Sequence, residues 1–350
     1  MKFPKQTILN ALGEPVVLNE KEVKIAKNCE QLIQNAGYEA DITTLTTIMK
    51  QVVEQKFFKV APADYMPVKV GEGAWSRTLT TYRSFSLGDD FATGIIGAGS
   101  NAARQAMADT QVDTINVAQV PWAKSIAWSI FDLQEASRSG NWDLITSKEK
   151  ARKTNWDLGI QKVSFLGLQD DLNVRGLLTQ SDVTVNTSLL GANFISGMTD
   201  ADFTTFCTNV YEAYRANCNR TSEPTHFALP EADYNGLAAP FSTSFPLKTK
   251  LQHLQEMFAM LTMNPNFKIM KLAYGNRAIY KLAAGGSDVH KYALYNYEED
   301  SMNMNIGVNY TSTLANSFDS FQFQNTAYGM FTGLKAFRPN EMLYLTSTHA

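Results

Sequence analysis

Gly97, Gly99 and Ala102 stand at the G-x-G-x-x-G/A spacing of a dinucleotide-binding loop, with Asp113 downstream as a candidate ribose partner. Glycines so spaced let a backbone close on a pyrophosphate, but only between a buried parallel strand and a full helix. Here Ile95 and Ile96 alone precede them, and the helical piece at 101–108 is short. The competing reading is a loop tip kept pliable by glycine. Taken as chemistry, the motif makes the chain a NAD-binding oxidoreductase. The other reactive side chains do not converge. His226, His253, His290 and His349 share no metal-ligand spacing, and neither a G-x-S-x-G elbow nor an H-E-x-x-H helix occurs. Asp89-Asp90, Asp170-Asp171 and Glu298-Glu299-Asp300 are adjacent acids in turn-like text, where carboxylates cap or solvate. The expectation is no catalytic residue, no cofactor and no metal.

Bulk properties narrow the classes further. The chain has 350 residues, 44% hydrophobic and 19% charged, so it is globular and sized for one large domain or two ordinary ones. A net charge of −3 with interspersed signs gives no basic footprint for nucleic acid. No long apolar run predicts a membrane span, and the opening Met-Lys-Phe-Pro-Lys-Gln lacks the apolar core of a signal peptide. Cys29, Cys207 and Cys218 are too scattered for a disulfide framework or a zinc site. Cys207 falls on the apolar face of a predicted helix, which suggests a buried thiol and synthesis in a reducing cytoplasm.

The elements that would position any site come next. Residues 75–87 and 120–130 both alternate with period two. The first carries Trp75, Leu79 and Phe85, the second Trp122, Ile126 and Trp128. Between them, 88–113 is rich in Gly, Ala, Ser and Asp, far longer than a hairpin loop. The reading is a two-stranded excursion that pairs 75–87 with 120–130. Such a ribbon is barely stable alone, and no amphipathic helix inside it covers its large side chains. Either the rest of the chain covers them or a second copy does.

Around the excursion the chain is mixed. An extended arm at 1–18 precedes a capped helix with Ile25, Cys29, Leu32 and Ile33 on one stripe, then a second helix with Ile42, Leu45, Met49 and Val52. Pro62 and Pro67 mark a hinge. A long helix spans about 146–166, with Trp156, Ile160 and Val163 on one side and Lys148, Lys150, Arg152 and Lys153 on another; Gly167 closes it. Thr199-Asp-Ala-Asp202 caps a helix carrying Phe203, Phe206, Cys207, Val210 and Tyr214. A strand at 225–230 and a helix with Leu251, Leu254, Phe258 and Leu261 follow. Strands at 267–274 and 277–282 are predicted as a hairpin turning at Gly275-Asn276. A strand at 291–297, a long alternating strand through Phe321, Phe323, Phe331 and Phe337, and a short one at 342–345 complete an α+β chain.

This order of parts resembles the major capsid protein of tailed bacteriophages, the Hong Kong 97-type shell fold. Tyr82-Arg83-Ser-Phe-Ser-Leu87-Gly88-Asp89-Asp90 is similar to the outgoing strand of that family's extended loop, and Ile126-Ala-Trp128-Ser-Ile-Phe-Asp132-Leu133 to its return. Phe165-Leu-Gly167 with Arg175-Gly176-Leu177-Leu178 resembles the end of the spine helix and the turn beyond it. Thr225-His-Phe-Ala-Leu-Pro230 and Phe337-Arg338-Pro339 are similar to axial and peripheral strands. The resemblance implies an N-terminal arm with helices at 1–64 and an extended loop with its base at 65–124. It implies a peripheral domain with the spine helix at 125–185, an axial domain at 186–290 and returning strands at 291–350.

By the same resemblance, copies of the chain form hexamers and pentamers of an icosahedral shell, assembled in the host cytoplasm. The shell encloses double-stranded DNA without sequence-specific binding, with portal, scaffold or decoration proteins as further partners. Trp75, Arg83, Phe85, Asp89, Trp122 and Trp128 are then expected at subunit contacts, and Trp156, Ile160 and Val163 as anchors of the spine helix. Cellular encapsulin shells share the fold, so a compartment shell is the alternative within it. One departure stands out. Some family members weld subunits by an isopeptide bond from an extended-loop lysine, and this chain has no lysine between Val70 and Ala123.

Overall fold

The structure is a computed structural model that describes residues 6–9, 15–18, 56–87, 109–138, 144–169, 171, 173–242, 247–283, 285–317, 319 and 321–349. The two helices expected before residue 56 and the glycine motif at 97–102 lie outside them. Contacts divide the chain into two compact units. One holds Met1–Phe58, Ile126–Ala151 and Ala315–Asn325, and the other Lys59–Ser125, Arg152–Leu314 and Thr326–Ala350.

In chain order the strands are β1 (Gln6–Leu9), β2 (Pro15–Leu18), β3 (Val68–Val70), β4 (Thr78–Leu87), β5 (Asp109–Ala118), β6 (Val120–Ser129), β7 (Thr184–Asn186) and β8 (His226–Pro230). They continue as β9 (Lys268–Leu272), β10 (His290–Tyr295), β11 (Met302–Ile306), β12 (Val308–Ser312), β13 (Asn316–Ser317), β14 (Gln322–Phe331), β15 (Leu334–Ala336) and β16 (Met342–Ser347). The helices are α1 (Ile130–Arg138), α2 (Leu144–Leu166), α3 (Asp200–Asn217), α4 (Glu231–Gly236), α5 (Lys250–Leu261) and α6 (Arg277–Tyr280).

The larger unit is built on a mixed five-stranded sheet in the order β7-β16-β10-β8-β9. Its three central strands, β16, β10 and β8, are buried on both faces and lack polar alternation, while the edge strands β7 and β9 are partly exposed. Phe227, Leu229, Tyr292, Leu294, Leu343 and Leu345 join one core, closed by Phe203, Phe206, Cys207, Val210 and Tyr214 of α3 and by Leu254 and Phe258 of α5. Ala228, Ala293, Tyr295, Met342 and Tyr344 join the other, closed by Trp156, Ile160, Val163, Phe165 and Leu166 of α2. The three expected spine anchors are all in this core. The α3 stripe also matches the sequence, and Thr199 caps it by accepting from the Asp202 N–H. Gly167 ends α2 at φ +76, where a side chain would strike the Val174 carbonyl.

The structure corrects four expectations. First, β4 pairs antiparallel with β5 in one unbroken register, from Thr78↔Ala118 to Leu87↔Asp109, not with 120–130. The latter strand, β6, pairs instead with β14. Second, β6 stops at Ser129. The Ser129 and Asp132 side chains bond each other's backbone N–H at 3.1 and 2.9 Å, and this reciprocal cap starts α1 at Ile130. Third, 277–282 is not a strand. Gly275 lacks the positive φ that both primed turns need at their first central position, and Asn276 is extended at φ −66, ψ 139; its carbonyl accepts from Ile279 and Tyr280 to begin α6. Strand β9 therefore runs parallel to β8. Fourth, the late strand breaks after Phe331. Thr332 N–H donates to the Asn305 carbonyl, Asn305 N–H to Thr332 Oγ1, and the chain passes to β15 beside β11.

In the smaller unit β1 and β2 form an antiparallel pair. Trp128 stacks on Phe323, Phe131 meets Phe321 edge-on, and Lys148 Nζ donates to the Ala127 carbonyl.

Candidate functional site

The β4–β5 pair is a sheet of two strands. A ribbon of that kind needs packing on at least one face to persist in water. Its odd-numbered face leans on the chain in part: Leu79, Arg83, Ile115 and Val117 are each half-buried, while Thr81, Gln111 and Asp113 are exposed. Arg83 fastens that face, pairing with Asp113 across the ribbon at 3.3 Å and donating from Nη1 to the Phe337 carbonyl at 3.3 Å. The even-numbered face is open. Thr78, Thr80, Tyr82, Ser84, Val112, Thr114, Asn116 and Ala118 are all exposed, Tyr82 by 73% and Val112 by 60%. Tyr82 lies opposite Thr114 and Val112 opposite Ser84, so the two apolar side chains are diagonal neighbours within reach of each other.

The residues expected at subunit contacts separate. Trp75 is 68% exposed, with its ring 5.7 Å from Tyr328. Arg83 occupies the fastened face. Phe85 lies in β4, but its side chain is outside the described residues, as is Asp89 altogether. Trp122 spends its surface within the chain, 5.0 Å from the Trp156 ring and 6.3 Å from Tyr310. Trp128 is buried against Phe323. Apolar alternation marks the covered face and so does not point to Tyr82 and Val112; the signal for the return strand itself is the β-branched text Val112, Ile115 and Val117 after the loop.

Among the described residues, the reactive side chains that the sequence singles out each have identifiable neighbours. Asp113 is held by Arg83. His226 stacks between Tyr295 and Tyr297, and burial with nearby Lys268 pushes it down to about 4. His253 packs on Phe241 and Phe203, while His290 and His349 flank Phe194. Burial pushes the Cys207 thiol up to about 12, which keeps it protonated and inert. Among the described residues no group of three or more His, Cys, Asp or Glu is placed to hold a metal. No helix among them is long and apolar enough to cross a membrane.

Solved structures share this fold. The capsid protein of Myoviridae phage XM1 superposes with a TM-score of 0.71 at 15% identity, over 87% of this chain and 97% of that one. A structure of Microbacterium phage Oxtober96 gives 0.58 at 7% identity, over 89% and 98%. The capsid of a native GTA particle gives 0.55 at 12% identity, over 90% and 99%. These likenesses establish the Hong Kong 97-type fold. No curated protein matches the sequence. The family model for the major capsid protein matches residues 92–347. The chain therefore belongs to the major capsid protein family, and its role is that of a structural shell subunit of a bacteriophage virion.

Proposed function

We propose that the chain closes into hexamers and pentamers of an icosahedral shell around double-stranded DNA, and that the even face of the β4–β5 ribbon lies on the adjacent subunit. The observation that carries this reading is a ribbon in one register whose even-numbered face is bare at every described position from Thr78 to Ser84 and from Val112 to Ala118, while Arg83 on the other face is fastened to Phe337. Burial of Tyr82 and Val112 against a neighbour contributes roughly 1.5–3 kcal/mol each. In a ring the same two patches meet at every interface, so a small gain per contact is repeated around the closure. On this reading 1–64 is an arm, 65–124 the extended loop with its base, 125–185 the peripheral domain, 186–290 the axial domain and 291–350 the returning strands. Trp75, at the foot of the ribbon, and Arg83 and Phe85 along β4 border the contact; the same role is proposed for Asp89, which lies outside the described residues. Trp122 and Trp128 are proposed to serve the subunit contact as well, on the resemblance alone. Portal, scaffold or decoration proteins complete the particle, which assembles in the host cytoplasm.

The test is negative-stain microscopy of the purified chain, wild type and Tyr82→Asp/Val112→Asp. Wild type is expected to give closed shells or rings. The double variant places two charges in the contact and is expected to stay as folded, unassembled subunits with an unchanged circular-dichroism spectrum. Shells of normal yield from the variant would overturn the ribbon contact. Nucleic acid that resists nuclease in intact wild-type particles from infected cells, and is digested by DNase once they are opened, separates a DNA container from a shell with protein cargo.

A further inference from the structure

At the foot of the ribbon two buried amides grip consecutive carbonyls of one turn. Gln119, only 5% exposed, donates from Nε2 to the Gly73 carbonyl at 3.2 Å. Asn305, 3% exposed, donates from Nδ2 to the Glu72 carbonyl. Gln119 also donates its backbone N–H to the Arg77 carbonyl at 2.9 Å. The turn between has three residues in the left-handed region: Gly71 at φ +89, Gly73 at +66 and Trp75 at +68. For a tryptophan this is an uncommon and strained backbone, which persists only where the surroundings over-determine it.

We propose that Gln119 and Asn305 form a clasp whose task is to set the direction in which the ribbon leaves the body, and hence where its open face meets the neighbouring subunit. Gln119 follows directly after β5, and the turn it holds leads into β4, so one side chain ties together the feet of both strands. Gly307 is cut to fit it: a Cβ there would lie 2.7 Å from Gln119 Oε1 and 3.0 Å from Nε2.

Stability alone does not account for these amides. Gln119 Oε1 and Asn305 Oδ1 are buried without a hydrogen-bond partner among the described residues, which counts against the folded state. The Gly73 carbonyl already accepts from Ser76 N–H at 3.1 Å and Ser76 Oγ at 2.7 Å. A leucine at 119 would thus lose one shared bond and relieve one orphan oxygen, a near-even exchange. What it would lose is the tie.

The proposal rests on the ribbon being the assembly element, and its test separates the two. Gln119→Leu and Gly307→Ala are made in the full chain, held below its assembly concentration. Amide hydrogen exchange at Gly71 and Ser76 is expected to quicken roughly fivefold, the scale of one net hydrogen bond. Exchange in β10 and the unfolding midpoint stay at wild-type values. On raising the concentration, shells of broadened diameter and open sheets are expected. Unchanged exchange in both variants overturns the clasp. Faster exchange with uniform shells overturns its role in placing the ribbon. Tyr82→Asp/Val112→Asp that assembles normally overturns the ribbon contact itself, whatever the clasp does.

Discussion

Lys291 carries its charge into a strand whose every residue is buried. Its ammonium lies 4.2 Å from the Tyr344 ring centroid and 5.5 Å from that of Tyr280. The ring faces replace part of the lost water, yet burial still pulls the amine down to about 8. The unfolded amine titrates near 10.5, so between 8 and 10.5 the unfolded chain holds the extra proton and stability rises with pH. Below 8 both states are charged and the desolvation cost stands in full. Lys291→Met, of similar length, is therefore expected to raise the urea midpoint at pH 7, with the gain fading by pH 10. A lower midpoint at pH 7 would mean that the rings outweigh desolvation. His226 works on the acid side. Its folded value of about 4 lies below the ordinary 6.5, so stability falls as pH drops through that window. His226→Phe keeps the stack with Tyr295 and Tyr297 and should flatten the acid limb between pH 6.5 and 4; a limb as steep as wild type would assign it to other groups.

The junction of α2 with the strands depends on one indole. Trp156 meets Trp122 of β6 at 5.0 Å, Phe331 of β14 at 5.9 Å and Tyr310 of β12 at 6.4 Å. Gly329 of β14 lies beneath it, where a Cβ would come within 2.4 Å of the ring. Trp156→Ala should lower unfolding free energy by about 3–5 kcal/mol through the cavity it leaves. Gly329→Ala should cost about 1–3 kcal/mol through crowding. Denaturant titration reads both, and a change within 0.5 kcal/mol for either, the scale of ordinary surface substitutions, would remove the indole from this role. This junction was legible in the sequence because a helical stripe is local: Trp156, Ile160 and Val163 announce one face of one element. The α3 face was legible for the same reason. The ribbon was not, since strand pairing is decided between distant segments. Its return strand also has no fully buried face, so 109–118 lacks the period-two pattern that 120–130 shows. That pattern is genuine in β6, but it reports burial of Trp122 and Trp128 inside the chain and carries no information about the partner strand. The end of β6 was readable, because Ser129 and Asp132 have capping spacing; the alternation running on to Ile130 masked it.

At the scale of the particle, the remaining question is what holds one subunit to the next after closure. In the covalently welded relatives a loop lysine attacks an asparagine carboxamide of a neighbour and releases ammonia, which requires a free amine out on the loop. Here the ribbon and the connection between its strands offer none, since no lysine lies between Val70 and Ala123. Those that flank it belong to the body. Lys69 in β3 is engaged by Glu299 at 3.3 Å and Glu72 at 3.8 Å, and Lys124 in β6 precedes the strand's passage to α1. The shell is thus expected to be held by burial of apolar and hydrogen-bonding surface alone, repeated at every interface. Intact particles boiled in SDS without reductant should run as a single band no larger than the 38.9 kDa of the chain. A ladder of multiples that survives boiling and reductant would show a covalent bond between subunits and would place its amine outside the ribbon. A single band would leave the closure to contacts such as Tyr82 and Val112. With the ribbon contact and ring closure proposed above, shell yield should then fall steeply on dilution for Tyr82→Ala, because each weakened contact would recur around every ring.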